Sequence, residues 1–370
     1  MVKDMANKGK RRAWKTVLIC VLTALGVLAL TVASYVSYVF LAYHRLEDNI
    51  ELDIKGSGFG EISTGVEYKL LSFNIGFGAY EPDYGFFMDG GKESRAWSYD
   101  RLTANIKKIG EYVQSLQADF ICMQEVDTNG TRTYHYNERD ALSRMFPDYS
   151  SVFAQNYDSP YLFYPFLKPI GANRSGLLSL SRYAPQSAVR YSLPIESGVR
   201  KLLDLDRCYS VSRYALQNGR EFVLVNLHLS AYTADGTISD EQVEMIADAM
   251  KAEYEKGNYV VCAGDFNKNL LSAEEDPFNA TSSGLSWAKY FPVEKLNGTG
   301  ISLVAPLDPE HPVPSCRNAD GPYTPDQLVI TIDGFLVSGN VTIVSAAVED
   351  TAFAYSDHNP VSLTFILQEQ

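Results

Sequence analysis

The sequence predicts a mixed α/β (α+β) sandwich of two β-sheets behind a single membrane-spanning helix. Three observations carry this. Val17 to Ala42 is a run of 26 residues without a charge. From residue 67 onward, apolar strand-like runs alternate with segments of helical spacing, the pattern of strand–helix–strand crossovers. Elsewhere, Gln217-Asn218-Gly219 and Gly339-Asn340 separate pairs of such runs and read as hairpin turns.

Taken from the N-terminus, residues 1–16 form a basic tail. Lys3, Lys8, Lys10, Arg11, Arg12 and Lys15 oppose Asp4 alone, a net of +5 through residue 43. As a helix, residues 17–42 extend roughly 39 Å at about 1.5 Å per residue, enough for a hydrocarbon core of ~30 Å with some tilt. The basic flank places the tail in the cytoplasm and the bulk of the chain outside the cell membrane, as a single-pass protein. A cleaved signal peptide ending near Val32-Ala33-Ser34 is the rival reading. It fits less well, because the apolar run exceeds the usual h-region and continues past that site. Residues 43–66 are polar and contain glycine, which reads as a stalk. Residues 67–370 read as one domain.

Within that domain, Tyr68–Phe73, Asp119–Gln124, Ser175–Ser181, Ser187–Leu193 and Tyr259–Ala263 read as strands. Arg207–Leu216 and Arg220–Leu229 form one expected hairpin, Leu328–Ser338 and Val341–Ala347 another. Val361–Leu367 is the last strand. Leu102, Ile106, Ile109 and Val113 give a helix over 99–116. Ser239–Glu255 is a second helix, with Ser239 or Asp240 as its N-cap.

Composition narrows the function. The chain has 370 residues, 46% hydrophobic and 21% charged, which excludes disorder as its main state. Beyond the N-terminal segment, 26 basic residues face 44 acidic ones, a net of −18. Such a surface repels polyphosphate backbones and lacks the footprint of a nucleic-acid binder. It does not oppose a small anion held through a metal. The five cysteines include no CxxC pair, against a zinc ribbon or a thioredoxin-like site. Whether Cys208 and Cys316 pair is not legible. Five Asn-x-Ser/Thr sequons occur, at Asn129, Asn173, Asn279, Asn297 and Asn340.

The informative pattern is a set of polar residues at the ends of apolar runs. KLLSF ends at Asn74, DFICMQ at Glu125, FVLVNL at His228 and VVCAG at Asp265, with Asn267 two residues later. Asp333 lies inside VITIDGFLV, and Asp357-His358 precede the final strand. Each alone has a plain structural reading, such as an Asx turn, a surface carboxylate or a core histidine. If the ends converge, they build a pocket of carboxylates, amides and two histidines. Oxygen ligands suit a hard cation such as Mg²⁺, and the histidines suit acid–base chemistry.

The stretches LLSFN (70–74), FICMQEVD (120–127), GLLSLSR (176–182), VNLHLS (225–230), VVCAGDFN (260–267), ITIDGFLV (330–337) and SDHNPV (356–361) resemble, in this order, the endonuclease/exonuclease/phosphatase superfamily. The resemblance runs from about 67 to 368. It implies a deoxyribonuclease I-like fold, a four-layer sandwich of two packed mixed sheets flanked by helices. It also implies Mg²⁺ (or Mn²⁺) bound by Glu125, Asn74 and Asp357. His358 would act at the scissile phosphate, oriented by Asp333, while Asp265 and Asn267 position the nucleophile and a phosphoryl oxygen. His228 matches the second histidine of the nuclease and lipid-phosphodiesterase branches. Whether His358 or Asp265 is the base stays open.

Two positions depart from the family pattern. Gly76 stands where some members carry Asp, and Cys316-Arg317 where many carry Thr-aromatic-Arg. Arg317 and Lys92 are candidate substrate contacts. Lys92 belongs to a long insertion, Gly76–Ser98, and a second aromatic segment covers Asn156–Arg174; loops beside a site commonly set specificity. The expected activity is a membrane-anchored phosphodiesterase or phosphatase, with a small molecule, lipid head group or nucleic acid as substrate. An extracellular nuclease and a catalytically silent phosphoester-binding module are the alternatives. No obligate protein partner is indicated.

Overall fold

An N-terminal helix, α1 (Val2–Ala42), forms a unit of its own in the computed structural model, which describes residues 2–233, 235–278 and 286–369. Its stretch Arg11–Ala42 is long and apolar enough to cross a membrane. The second unit begins at Arg45. In chain order it contains β1 (Ile50–Glu51), β2 (Ile54–Lys55), β3 (Glu67–Asn74), α2 (Tyr99–Ser115), β4 (Phe120–Gly130), α3 (Glu138–Met145), β5 (Ser150–Asp158), β6 (Asn173–Ser181), β7 (Ser187–Ser192) and α4 (Lys201–Asp204). There follow β8 (Cys208–Ala215), β9 (Glu221–His228), α5 (Thr237–Glu255), β10 (Tyr259–Asp265), β11 (Ile301–Val304), β12 (Cys316–Arg317), β13 (Val329–Ile330), β14 (Asp333–Ser338), β15 (Val341–Val348) and β16 (Val361–Leu367).

Two seven-stranded sheets pack face to face. One has the order β1-β7-β8-β9-β10-β14-β11, the other β15-β16-β3-β4-β6-β5-β2. Each contains a parallel pair, β9 with β10 and β3 with β4. Parallel neighbours need a crossover, and α5 and α2 supply it. The period-2 alternation of β3 and β4 divides their side chains between two cores. Leu70, Phe120 and Cys122 face inward, with Tyr214, Phe222, Val261 and Phe365, to form the core between the sheets. Leu71, Phe73, Ile121 and Met123 face outward under α2. On the other sheet, Val243, Ile246 and Met250 of α5 cover Val223, Val225 and Val260. The order helix–sheet–sheet–helix is the expected four-layer sandwich.

α2 forms as its spacing predicts. Leu102, Ile106, Ile109 and Val113 are buried, and Ser98 caps the helix by accepting from the Arg101 amide at 3.2 Å. α5 starts earlier than expected, after Gly236 at φ 91. Ser239 and Asp240 therefore do not cap it. The Ser239 hydroxyl donates back to the Gly236 carbonyl, and Asp240 pairs with buried Lys268 at 2.8 Å.

The Gln217–Gly219 hairpin joins β8 and β9 as expected. The second expected hairpin does not form. β14 is hydrogen-bonded on both sides, by β10 and β11, so it has no edge to offer β15. At Gly339-Asn340 the chain instead crosses to the other sheet, where β15 pairs with β16. The expected strand 328–338 is also split, into β13 and β14. Within the expected stalk 43–66, β1 pairs with β7 and β2 with β5, so this segment edges both sheets.

Among the described residues all five cysteines are free, Cys208 and Cys316 included. Of the sequons, Asn279 lies outside the described residues, while Asn173 and Asn340 are buried with their amides donating to the Ile170 and Asn258 carbonyls. Those two are closed to a glycosyltransferase in the folded chain.

One ion-pair network gives a pH signature away from any site. Arg213, Lys256 and Asn258 all donate to the Glu253 carboxylate. Burial alone would raise this carboxyl, but those donors outweigh it and push it down to about 2. A depressed folded-state value stabilises the fold above the unfolded carboxyl's ordinary range and loses that contribution as pH falls through it toward 2. Glu253→Gln should therefore lower the melting temperature at neutral pH and flatten its acid slope. An unchanged slope would contradict the assignment.

Candidate active site

The polar residues converge because both parallel pairs run the same way. β3 ends at Asn74, β9 at His228 and β10 at Asp265, and β4 carries Glu125 just past its last pair with β3, Asn74 with Gln124. Carboxyl ends of parallel strands are where α/β sheets place their sites. Asp265 lies in register with both His228 and Asp333. The loop before β16 brings Asp357 and His358 to the same end, fastened by the Ser356 hydroxyl donating to the Asn74 carbonyl at 2.9 Å.

Glu125 owes its position to a β-bulge. Between Met123 and Val126 the register against β6 slips by one residue, and Glu125 adopts φ 56. A bulge beside a site typically re-aims one side chain, here at the cost of a left-handed backbone. Beneath it, the Gln124 amide donates to Asn226 at 2.9 Å, and the Asn226 amide donates to the Ser179 hydroxyl at 3.1 Å. This buried network ties the two sheets together under the pocket.

The centre of the site is a histidine–carboxylate pair. His358 Nδ1 is 2.8 Å from Asp333 Oδ2, which also accepts from the Ser315 hydroxyl at 2.7 Å. An ionised Asp333 requires the proton on Nδ1 and leaves Nε2 toward the pocket. Nε2 lies 3.6 Å from Cys316 Sγ and 3.8 Å from Asp265 Oδ2. His228 Nε2 approaches the same Asp265 oxygen at 3.4 Å. The Asn267 amide N–H donates to the other Asp265 oxygen at 2.8 Å, and the Asn267 side chain donates to the Leu229 carbonyl.

The protonation preferences differ by neighbour. Burial would lower His358, but Asp333 reverses this and holds it well above the usual imidazole range. Burial holds His228, which has no such carboxylate bond to its Nδ1, well below it, and the nearby charges of Arg207 and His358 add to the effect. Burial pushes Asp265 up to about 7 against the opposing pull of His358, and raises Asp357 as well. Burial also pushes the Cys316 thiol up to about 12, so it remains a thiol.

The pocket, of about 80 Å³, is lined by Glu125, His228, Asp265, Asn267, Asp357 and His358 among others. A larger hollow of about 460 Å³ lies at the β2–β5 edge and contains none of these residues. Sequence reasoning did not single out Tyr80, Asp89, Arg207 or Tyr232, which also line the site pocket. Asp89 accepts from the Tyr232 hydroxyl at 2.6 Å, and burial pushes it up to about 7. Tyr80 and Asp89 come from the 76–98 insertion, whose place beside Asn74 was their only signal.

Three sequence expectations change. Asn74 turns its amide nitrogen, not its oxygen, toward Glu125 at 3.3 Å and Asp265 at 3.0 Å; its oxygen accepts the Gly76 N–H. In this arrangement its amide is a donor that holds two carboxylates together. Lys92 is exposed and does not line the pocket. Arg317 does line it, but its guanidinium donates to the carbonyls of Tyr80, Glu81, Tyr84, Asn318 and Gly321. It anchors the insertion loop.

A divalent cation fits the donor chemistry. Glu125 accepts a long amide bond at 3.3 Å, and Asp357 accepts from the Ser356 hydroxyl at 3.1 Å. Two carboxylates thus face one pocket on neutral hydrogen-bond donors, a set of oxygen ligands that suits a hard cation. Asp265, Asp333 and His358 also hold ligand-type atoms within 4.8 Å of one another. There, His358 Nδ1 and Asp333 Oδ2 are bonded to each other, which leaves His358 Nε2 and Asp333 Oδ1.

Gly76 is required by geometry. It has φ +52, and a Cβ would lie 2.7 Å from the Tyr80 ring and 3.1 Å from Asp357 Oδ1. Gly76→Asp should therefore not add a working carboxylate. It should displace Asp357 and lower both activity and melting temperature; full activity with wild-type stability would refute this.

The sequence matches the profile of the Endonuclease/Exonuclease/phosphatase family over residues 71–358. No curated protein matches it. Among solved structures, an endonuclease/exonuclease/phosphatase from Beutenbergia cavernae DSM 12333 aligns with a TM-score of 0.57 at 15% identity, over 82% of this chain and 72% of that one. One from Bacteroides vulgatus gives 0.50 at 17% identity, over 82% and 100%. ANGEL2, described as a 2',3'-cyclic phosphatase, gives 0.51 at 16% identity, over 86% and 99%. At these identities the structures establish the fold, and the profile establishes the kinship: the chain belongs to the endonuclease/exonuclease/phosphatase family.

Proposed function

We propose that the chain is a divalent-metal-dependent phosphoester hydrolase, a phosphodiesterase or phosphatase, anchored in the cell membrane by residues 17–42 with its catalytic domain outside. The observation that carries the chemistry is the His358–Asp333 pair, 2.8 Å apart, beside Asp265 and across one pocket from Glu125 and Asp357. Glu125 and Asp357 would hold Mg²⁺ or Mn²⁺, whose role is to neutralise phosphate charge and stabilise the departing oxyanion.

The chain's own residues supply the rest. Asp333 fixes the His358 tautomer and orientation. His358 Nε2 faces the scissile phosphate and exchanges a proton with it or with the attacking water. Asp265, held by the Asn74 amide and the Asn267 N–H, orients that water, and Asn267 lies where a phosphoryl oxygen would bind. His228, kept neutral, contributes a second imidazole against Asp265.

The test is a substrate panel on the full chain, with Mg²⁺ or Mn²⁺ and with chelator. It would hold plasmid DNA, RNA, bis-aryl and mono-aryl phosphates, choline- and inositol-type lipids, and inositol phosphates. Chelator-sensitive turnover of one class, lost in Glu125→Gln, is expected. Turnover of DNA or RNA alone would favour the nuclease alternative. No turnover from a folded, metal-binding protein would favour a silent binding module.

A further inference from the structure

The strand directions place three features at one end of the sandwich. β9 ends at His228, and β8 runs antiparallel to it, so β8 begins at the site end. β7 is antiparallel to β8, so the segment 193–207 between them lies at that end too. Arg207, its last residue, lines the pocket beside His228. Into this segment the chain enters the domain. The Arg45 guanidinium donates to the Leu193 carbonyl, the Leu46 amide to Asp206 at 2.9 Å, and Arg190 to the Glu47 carbonyl at 3.1 Å. α1 ends at Ala42, so only residues 43 and 44 separate it from the fastened Arg45. The chain therefore enters the domain at the site end two residues after its apolar helix.

The third feature is the 159–172 loop. β6 starts opposite Gly130, beyond Glu125 on β4, so the loop between β5 and β6 rises at the same end. Ile170 from this loop and Leu203 from the 193–207 segment line one hollow that continues the site pocket past Glu125 and His228. At its tip Tyr164 is 59% exposed, Phe166 74% and Leu167 fully. Val199 is 68% exposed on the other loop. Contiguous exposed aromatic and aliphatic side chains mark an interaction surface, and aromatic residues favour the boundary between head groups and acyl chains. A nucleic-acid partner is disfavoured by the net −18 outside the N-terminal segment.

We propose that the tip of the 159–172 loop, beside the mouth of the site, seats in the interface of a lipid bilayer, and that the substrate is a phosphoester on a lipid head group. The substrate half rests on the hydrolase reading; the docking half does not.

The experiment uses the full chain in phosphatidylcholine nanodiscs with bromine-labelled acyl chains. Leu167→Trp should be quenched beyond the baseline of the parent, which Trp14, Trp97 and Trp287 set. Ile343→Trp, on β15 at the opposite end, should not be. Phe166→Ser with Leu167→Ser should slow turnover of a lipid phosphoester in the disc by about tenfold or more, and leave turnover of a soluble bis-aryl phosphate unchanged. An unquenched Leu167→Trp overturns the proposal while soluble turnover leaves the hydrolase intact. Equal loss on both substrates, or preference for DNA or RNA, also overturns it. Turnover of no substrate, with quenching intact, overturns the hydrolase reading and the substrate half together.

Discussion

His358→Ala is expected to lower kcat/KM by about 10²–10⁴-fold, the span typical of a lost general acid–base group, without unfolding the chain. The side chain is buried, yet it sits at the pocket's wall and not in either hydrophobic core. Its partner Asp333 acts through it, so Asp333→Asn should also cut activity and should displace the pH–rate profile, because a carboxamide no longer stabilises the charged ring. Asp333→Glu should restore part of both. The double variant should lose little more than His358→Ala alone, since the two residues work as one unit. Activity and pH profile would be measured on a soluble aryl phosphoester, with circular dichroism melts as the folding control. Additive losses, or an unmoved profile in Asp333→Asn, would reject the pair as catalytic machinery.

Phe120→Ala is the largest expected loss of stability. Phe120 is fully buried between the sheets, at 0% exposure, and its ring lies 5.1–6.4 Å from those of Tyr68, Tyr183, Tyr214, Phe222 and Phe365. Removing it deletes the hub of an aromatic cluster drawn from both sheets. Phe to Ala in a core costs about 3–5 kcal/mol, because neighbouring side chains collapse only partly into the space. β4 also carries Glu125 five residues later, so activity should fall together with stability. Denaturant melts give the measure. A loss under about 1 kcal/mol would mean that the sheets repack freely, contrary to the density expected of such a core.

The features legible in the sequence were those that depend on local pattern. The i, i+4, i+7 spacing of Leu102, Ile106 and Ile109 gives a helix with one apolar face in any context. Gln217-Asn218-Gly219 turns the chain because glycine accepts the left-handed backbone that the turn needs; Gly219 has φ 76. The same logic at Gly339-Asn340 gave a turn but the wrong partners. A turn signal says that the chain bends, not which strand edge is vacant. Likewise the order of Asn74, Glu125, His228, Asp265, Asp333 and His358 along the chain marked the site, since a polar residue ending an apolar strand must meet water or a partner.

By itself, then, the sequence determined the family, the two crossovers, the apolar N-terminal helix and the identity of the central acids and histidines. Only the tertiary structure decided their use. It turned the Asn74 amide toward two carboxylates and spent the Arg317 guanidinium on five backbone carbonyls, three of them in the insertion loop. It left Lys92 outside the pocket and brought Asp89 and Tyr232 into it. It also set the start of the domain and the exposed aromatic loop at the same end as the site. The physical reason is one of range. Propensity, turn chemistry and periodicity act over a few residues and survive in any fold, whereas hydrogen bonds and charge pairing join residues far apart in sequence, 282 positions between Ser356 and Asn74. Which of those partners meet depends on the direction of every intervening strand.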